Sequence, residues 1–415
     1  MQIAQVSIRD LAGRIFNGHD LQIELNKRGI SARQYVTEKS GNDSNTIACI
    51  SLHEQEAWKR VKELEAFCSM DTLLYSNAAR NIMNDYFYQQ ADIVHFHIID
   101  EGAISLFEFA EMVKNKPSVW TIHDFWPMTG HCTCPMHPFD CKEYKTGCQK
   151  CPDIRRFFSM NADKAEQMYH IKEQLYKQLD MDIVVATEWM EQYVRESPLL
   201  SRFSRVHRIP FGVHLEKYGT VTQQEARIRL GVPENAFVLA FRADNSSNYT
   251  IKGTQYIWET LRSISEKITL ITVGTEEAPE DIKENFSIIQ LGWVNDADKM
   301  VDFFAACDVF LMPSAAETFG LMAVEAMASA RPVIVFEDTV LTCITHAPEC
   351  GVSVPYKSID GLREAILRLL KNPQERVMRG RLGRDIAEQK YNFYDYVSKH
   401  VDLYSEIIER KNKHM

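Results

Sequence analysis

The sequence predicts an α/β protein of two Rossmann-like lobes facing a central cleft. Three observations predict it. The chain has 415 residues, more than one core organises, since single hydrophobic cores stop growing near about 250–300 residues. Short β-branched runs alternate with amphipathic stretches, the pattern of a parallel, doubly wound sheet. That alternation occurs twice, and the two series meet near Arg208-Ile209-Pro210-Phe211-Gly212-Val213.

In the first series, strands are expected at 3–8, 31–37, 92–98, 118–123 and 182–187, with helices at 52–66 and 161–179. In the second, strands are expected at 237–242, 268–273, 287–291, 308–313, 332–336 and 351–355. The domains are read as 1–208, a first lobe with a cysteine-rich insertion at 130–152; 209–390, a second lobe; and 391–415, a helix packing back towards the first lobe. Parallel sheets bind ligands beyond the C-termini of their strands. Gly13, Gly18, His97 and His123 are expected there. His95 and His97 are read as pointing to opposite faces of their strand, with His97 towards the cleft and His95 in the core.

Apolar residues make up 45% and charged residues 25% of the chain, the balance of a globular protein. The net charge of -10 removes the driving force for a general grip on nucleic acid phosphates. Residues 1–10 carry no basic stretch before an apolar one, so they read as a first strand rather than an export leader. No apolar run approaches about 18 residues, and the expected location is cytoplasmic. Arg155-Arg156-Phe157-Phe158, beside the helix at 161–179, suggests either peripheral contact with a membrane surface or lobe packing.

Of the 10 cysteines, Cys132, Cys134, Cys141, Cys148 and Cys151 crowd into one short segment. The other five are expected to be buried thiols. Without an export leader, such a cluster fits a metal site better than a disulfide framework. Cys148 and Cys151 form a C-x-x-C pair after Gly147, which lets two thiolates reach one ion from a tight turn. Two further ligands must come from upstream. Cys132, Cys141, Cys134 and His137 are the candidates, and reduced thiols or a disulfide are the alternatives.

The most informative segment is Pro313-Ser314-Ala315-Ala316-Glu317-Thr318-Phe319-Gly320-Leu321-Met322-Ala323-Val324-Glu325. A buried strand ends at Pro313 and a helix is expected to begin near Phe319-Gly320, with its free N–H groups suited to a diphosphate. Glu317 and Glu325 would lie roughly 12 Å apart if the whole interval were helical. Upstream, Phe241-Arg242-Ala243-Asp244 and Ile251-Lys252-Gly253-Thr254 place two cations where a diphosphate develops charge. Arg242 has pairing with Asp244 as its simpler reading.

This pattern resembles the E-x7-E element and the Arg and Lys-Gly pair of family 4 glycosyltransferases, retaining enzymes of the two-lobed GT-B fold. The stretch Thr121-Ile122-His123-Asp124-Phe125-Trp126-Pro127-Met128-Thr129-Gly130-His131-Cys132 is similar to the H-D-x-W-x-x-T-G-x-C element of members that build capsular and exopolysaccharides. The resemblance implies transfer of a sugar from a UDP- or GDP-sugar to a saccharide or lipid-linked saccharide. It implies that His123, Glu317, Lys252 and Arg242 are catalytic, with His123 and Glu317 at the donor sugar. It further implies that Gly13, Gly18, Gly274, Arg242, Lys252, Thr318, Phe319, Gly320 and Glu325 hold the donor, Glu325 through the ribose. No catalytic metal is expected. Matching cysteines make Cys132 and Cys141, with Cys148 and Cys151, the implied ligands of a structural zinc. A 2-epimerase or glycosyl phosphorylase on the same fold, or a non-catalytic sugar-binding protein, are the rival readings.

Overall fold

The computed structural model describes residues 1–74, 76–100, 102, 104–155, 160–244 and 251–414. The chain divides into two compact units, Met1–Ile209 with Val397–Met415, and Pro210–Tyr396. Each is built on one parallel sheet.

Unit 1 contains β1 (Gln2–Arg9), β2 (Ser31–Glu38), β3 (Thr46–Ala48), β4 (Ile93–Phe96), β5 (Ser118–Ile122), β6 (Asp182–Val185) and β7 (Val206–Arg208), in the order β3-β2-β1-β4-β5-β6-β7. Val6 pairs with Tyr35 on one side and Phe96 on the other. Helices cover both faces, so β1, β4, β5 and β6 are buried almost throughout, as a two-sided parallel sheet requires. Unit 2 contains β8 (Val238–Arg242), β9 (Thr269–Val273), β10 (Ser287–Gln290), β11 (Val309–Met312), β12 (Val333–Phe336) and β13 (Val352–Val354), in the order β10-β9-β8-β11-β12-β13. Its core gathers Leu239, Phe241, Leu270, Leu311 and Ile334 from the central strands.

In both sheets the strand order reverses beside the first strand, between β1 and β4 and between β8 and β11. Connections leaving these neighbours in opposite directions open a crevice at their C-terminal ends. All eleven strands read from the sequence are present; β3 and β7, of three residues each, are additional. The helix expected at 161–179 is the shorter Ala165–Tyr176, and the C-terminal amphipathic stretch is the helix Phe393–His414. Of the five scattered cysteines, Cys49, Cys307 and Cys350 are buried, but Cys68 and Cys343 are exposed.

Unit 2 depends on two close backbone contacts at this crevice. Gly253 has φ +80° and a Cβ there would stand 1.9 Å from the Pro313 carbonyl oxygen. Gly274 has φ +118° and a Cβ would stand 2.1 Å from the Ala243 carbonyl oxygen. Gly253→Ala combines left-handed strain with a clash against fixed backbone. It is expected to lower unfolding stability by about 2 kcal/mol or more, read as a fall in the urea midpoint; an unchanged midpoint would show that the two segments separate freely.

Candidate functional site

In unit 2 the expected residues converge at the ends of β8 and β11. The Lys252 ammonium donates to Glu317 Oε1 at 2.7 Å, and Ala315 N–H donates to Ile251 O at 2.7 Å, tying the two loops together just before Gly253. Arg242, at the end of β8, pairs with Asp244, and its guanidinium lies 5.4 Å from the centre of the Trp293 ring. Asp244 in turn accepts from Thr275 Oγ1 at 3.2 Å, next to Gly274. The polar loop 245–250 lies outside the described residues.

The helix after β11 runs over Leu321–Ala328, with Gly320 as its N-cap at φ +99°. It starts just beyond Phe319, whose ring is fully buried against Phe211 and Tyr391. Phe319 therefore offers a ligand only its backbone. Because residues 317–320 precede the helix, the interval from Glu317 to Glu325 is not a continuous helical rise. Glu325 is partly buried, and its Oε1 accepts from the Tyr218 hydroxyl at 2.8 Å. Burial pushes the Glu325 carboxyl up to about 7, opposed by the Tyr218 hydrogen bond.

In unit 1, His97 follows β4 and His123 follows β5. The expectation that His95 and His97 face opposite ways is incorrect: residues two apart in a strand share a face, and the rings stack with centroids 4.1 Å apart. His97 N–H donates to Val6 O at 2.9 Å, which carries the strand geometry one residue past β4. His95 bonds the Tyr404 hydroxyl at 2.6 Å and the Thr121 hydroxyl at 2.7 Å. The His97 ring is 5.8 Å from that of His123, and neither His97 nitrogen has a hydrogen-bond partner among the described residues. Burial holds His95 and His97 well below the usual imidazole range and takes His123 down to about 3, so these rings are neutral. Gly18, at φ +79°, lies against this group; a Cβ would meet His97 Nε2 at 2.3 Å and Gln5 Oε1 at 2.4 Å. Gly13 also has a positive φ, +68°, but open packing.

The loop beyond His123 is anchored from below. Lys172, fully buried, donates to Trp126 O at 2.6 Å and Thr129 O at 3.0 Å, with its ammonium 3.6 Å from the centre of the Trp126 ring. The Trp126 indole donates to Asp71 Oδ2 at 3.0 Å. Burial draws Lys172 down and Asp71 up, and their mutual attraction opposes both. Lys172, Asp71 and Tyr218 were not identified from sequence, because each acts through a partner distant in the chain. The motif's alternation of aromatic and small residues was the only signal of a buried anchor.

The five clustered cysteines line one small cavity. Among the described residues, no three His, Cys, Asp or Glu side chains already stand in metal-ligating positions. Of the suggested membrane-contact segment, residues 156–158 lie outside the described residues. Among the described residues no helix is long and apolar enough to cross a membrane.

Residues 236–372 match the family model "Glycosyl transferases group 1". The chain is 26% identical over 253 residues to the putative colanic acid biosynthesis glycosyl transferase WcaC of Escherichia coli, covering 58% of this chain and 59% of that protein. It is 25% identical over 221 residues to the UDP-Gal:alpha-D-GlcNAc-diphosphoundecaprenol alpha-1,3-galactosyltransferase of Escherichia coli, covering 50% and 56%. The matches thus span little more than half the length of these relatives. Among solved structures, sucrose-phosphate synthase from Thermosynechococcus elongatus superposes with TM-score 0.70 at 17% identity, covering 99% of this chain and all of that one. HepE from Anabaena, in complex with UDP-glucose, gives 0.67 at 16% identity, covering 98% and 100%. The fold is that of GT-B proteins, two Rossmann-like units, and the matches support a glycosyltransferase.

The raised Glu325 carboxyl has a consequence for stability. Its folded pKa exceeds its unfolded value, so the folded state binds more protons between the two, and stability falls as pH rises through that window. Glu325→Gln is expected to remove part of the decline in urea midpoint between about pH 5 and about pH 8. An identical slope in the variant would mean that Glu325 ionises as freely in the folded chain as in the unfolded one.

Proposed function

We propose that the chain is a retaining, family 4-like hexosyltransferase. It moves a sugar from a UDP- or GDP-sugar to a hydroxyl of a saccharide or lipid-linked saccharide, in capsular, exopolysaccharide or glycolipid assembly. One observation carries the reading: Lys252 and Glu317, 2.7 Å apart, stand beside a glycine-capped helix start within the stretch that matches the group 1 model. A cation, an acceptor-only carboxylate and free backbone N–H groups together suit a sugar diphosphate.

In this reading Lys252, Arg242 and the backbone of Thr318, Phe319 and Gly320 hold the diphosphate, Gly274 leaves room for it, and Gly13 and Gly18 approach a phosphate from unit 1. Glu317 and His123 meet the donor sugar, and Glu325 the ribose. The acceptor oxygen bonds to the anomeric carbon on the face from which the diphosphate leaves. The bond from that carbon to the phosphate oxygen breaks, and the departing phosphate takes the acceptor's proton. Charge grows on the diphosphate at that moment, and positioned cations and N–H groups stabilise it. Arg242 and Lys252 supply the positive charge, so no catalytic metal is invoked. A neutral His123 serves as a hydrogen-bonding and positioning group rather than a cation. The proposed location is cytoplasmic, with peripheral contact at the inner membrane face where a lipid-linked acceptor would be met. Names of relatives that include colanic acid biosynthesis and a diphosphoundecaprenol acceptor support this.

Lys252→Ala and Glu317→Ala are each expected to lower transfer by about a hundredfold or more while circular dichroism stays unchanged. Folded variants with near-normal transfer would end the site assignment. His123→Ala is expected to lower turnover while nucleotide affinity falls only slightly, because the nucleotide's main partners belong to unit 2. Binding of UDP, GDP and ADP and then of their sugars identifies the donor. The anomeric configuration of the product, read by NMR, tests retention.

A further inference from the structure

The segment 130–152 has almost no regular structure; the one-turn helix Glu143–Lys145 is its only element. It nevertheless brings Cys132, Cys134, Cys141, Cys148 and Cys151 around a single cavity of about 20 Å³. That volume holds one water-sized sphere.

One backbone donor points at the cluster: Gly130 N–H donates to Cys148 Sγ at 3.2 Å, the kind of outer-shell support that orients metal-bound ligands. The Gly130 donor is fixed: a Cβ at Gly130 would stand 2.0 Å from the Ala165 carbonyl oxygen, so the loop presses directly on the start of the helix Ala165–Tyr176.

We propose that this cavity is a structural zinc site whose ligands are the thiolates of Cys132, Cys141, Cys148 and Cys151. Cys132 and Cys134 both line the cavity; Cys132 is assigned as the fourth ligand, and the variants below separate the two. Zn²⁺ displaces four thiol protons to solvent, leaving two net negative charges that the Gly130 N–H and the nearby Lys172 ammonium offset. Binding requires the sulfurs to stand about 2.3 Å from the ion, closer together than they do here, where no three of them are in ligating positions. Four protein ligands leave no open position, so the ion's work is to hold the loop that follows His123. His137 does not line the cavity.

The proposal is tested by metal content, which does not depend on any transfer activity. Untagged protein, purified without chelator and incubated with zinc, is expected to hold about one zinc per chain by mass spectrometry. Cys148→Ser and Cys151→Ser are expected to drop below about half an equivalent, whereas Cys134→Ser and the distant Cys49→Ser keep the metal. Cobalt(II) added to the unaltered, metal-free chain supplies a reading that needs no variant: intense thiolate-to-cobalt charge transfer with tetrahedral d–d bands. Less than about half an equivalent of zinc in the unaltered chain, no cobalt–thiolate band, or loss of metal in Cys134→Ser with retention in Cys132→Ser would overturn the assignment.

Discussion

At Gly253 and Pro313 two stretches of backbone approach so closely that no side chain fits between them, and unit 2's candidate chemistry hangs on that contact. It seats the start of the helix Thr254–Arg262 against the end of β11. As a result Lys252 and Glu317, 65 residues apart in sequence, come within one hydrogen bond. The Gly274 contact with Ala243 does the same for the ends of β8 and β9. The parallel sheet aligns all these strand ends on one edge, and the glycines set how near the loops beyond them can come. The charged groups are thus positioned by backbone, which has fewer ways to yield than side chains do.

Unit 1 solves the same problem with a buried cation. The loop from His123 to Cys132 has little hydrogen-bonded structure of its own beyond the single turn Trp126–Met128. Lys172 takes up two of its carbonyl oxygens and lies against its tryptophan, while Asp71 holds the indole. A buried ammonium costs desolvation free energy unless its donors are used, and two short hydrogen bonds with an aromatic face use them. Gly130 then fixes the other end of the loop against Ala165. The loop is held by a lysine, a tryptophan and a glycine, and its Phe125, Trp126 and Met128 are buried in the core of the unit.

How much of this could be read from the sequence follows from how local each signal is. Two-sided burial makes strands near-continuous apolar runs, so eleven of them stood out, while β3 and β7 are too short to show a period. The helix start at Gly320 was legible because a glycine cap and a small-residue loop are local chemistry. The histidines were misread through the strand period itself: His95 and His97 share a face. Tyr218 contacts Glu325 across 107 residues, and Lys172 reaches Trp126 across 46; no spacing rule connects such pairs. The Arg242–Asp244 pair shows the limit from the other side, since two residues of separation made it foreseeable without saying what else the guanidinium does.

The two units also differ in the state of their polar groups, and the difference follows from burial. In unit 2 the candidate groups at the crevice are side chains in ion pairs, Lys252 with Glu317 and Arg242 with Asp244. Unit 1 offers a run of imidazoles, with His400 stacked on His95, His95 on His97, and His97 near His123. Burial favours the uncharged form of His95, His97 and His123, and neighbouring rings would resist a charge placed on His95 or His97. Such a run can accept and donate hydrogen bonds without the desolvation cost of a buried ion. Unit 2, where the group 1 match lies, thus presents paired charges at its strand ends, whereas the imidazoles of unit 1 are neutral and pack closely on Gly18.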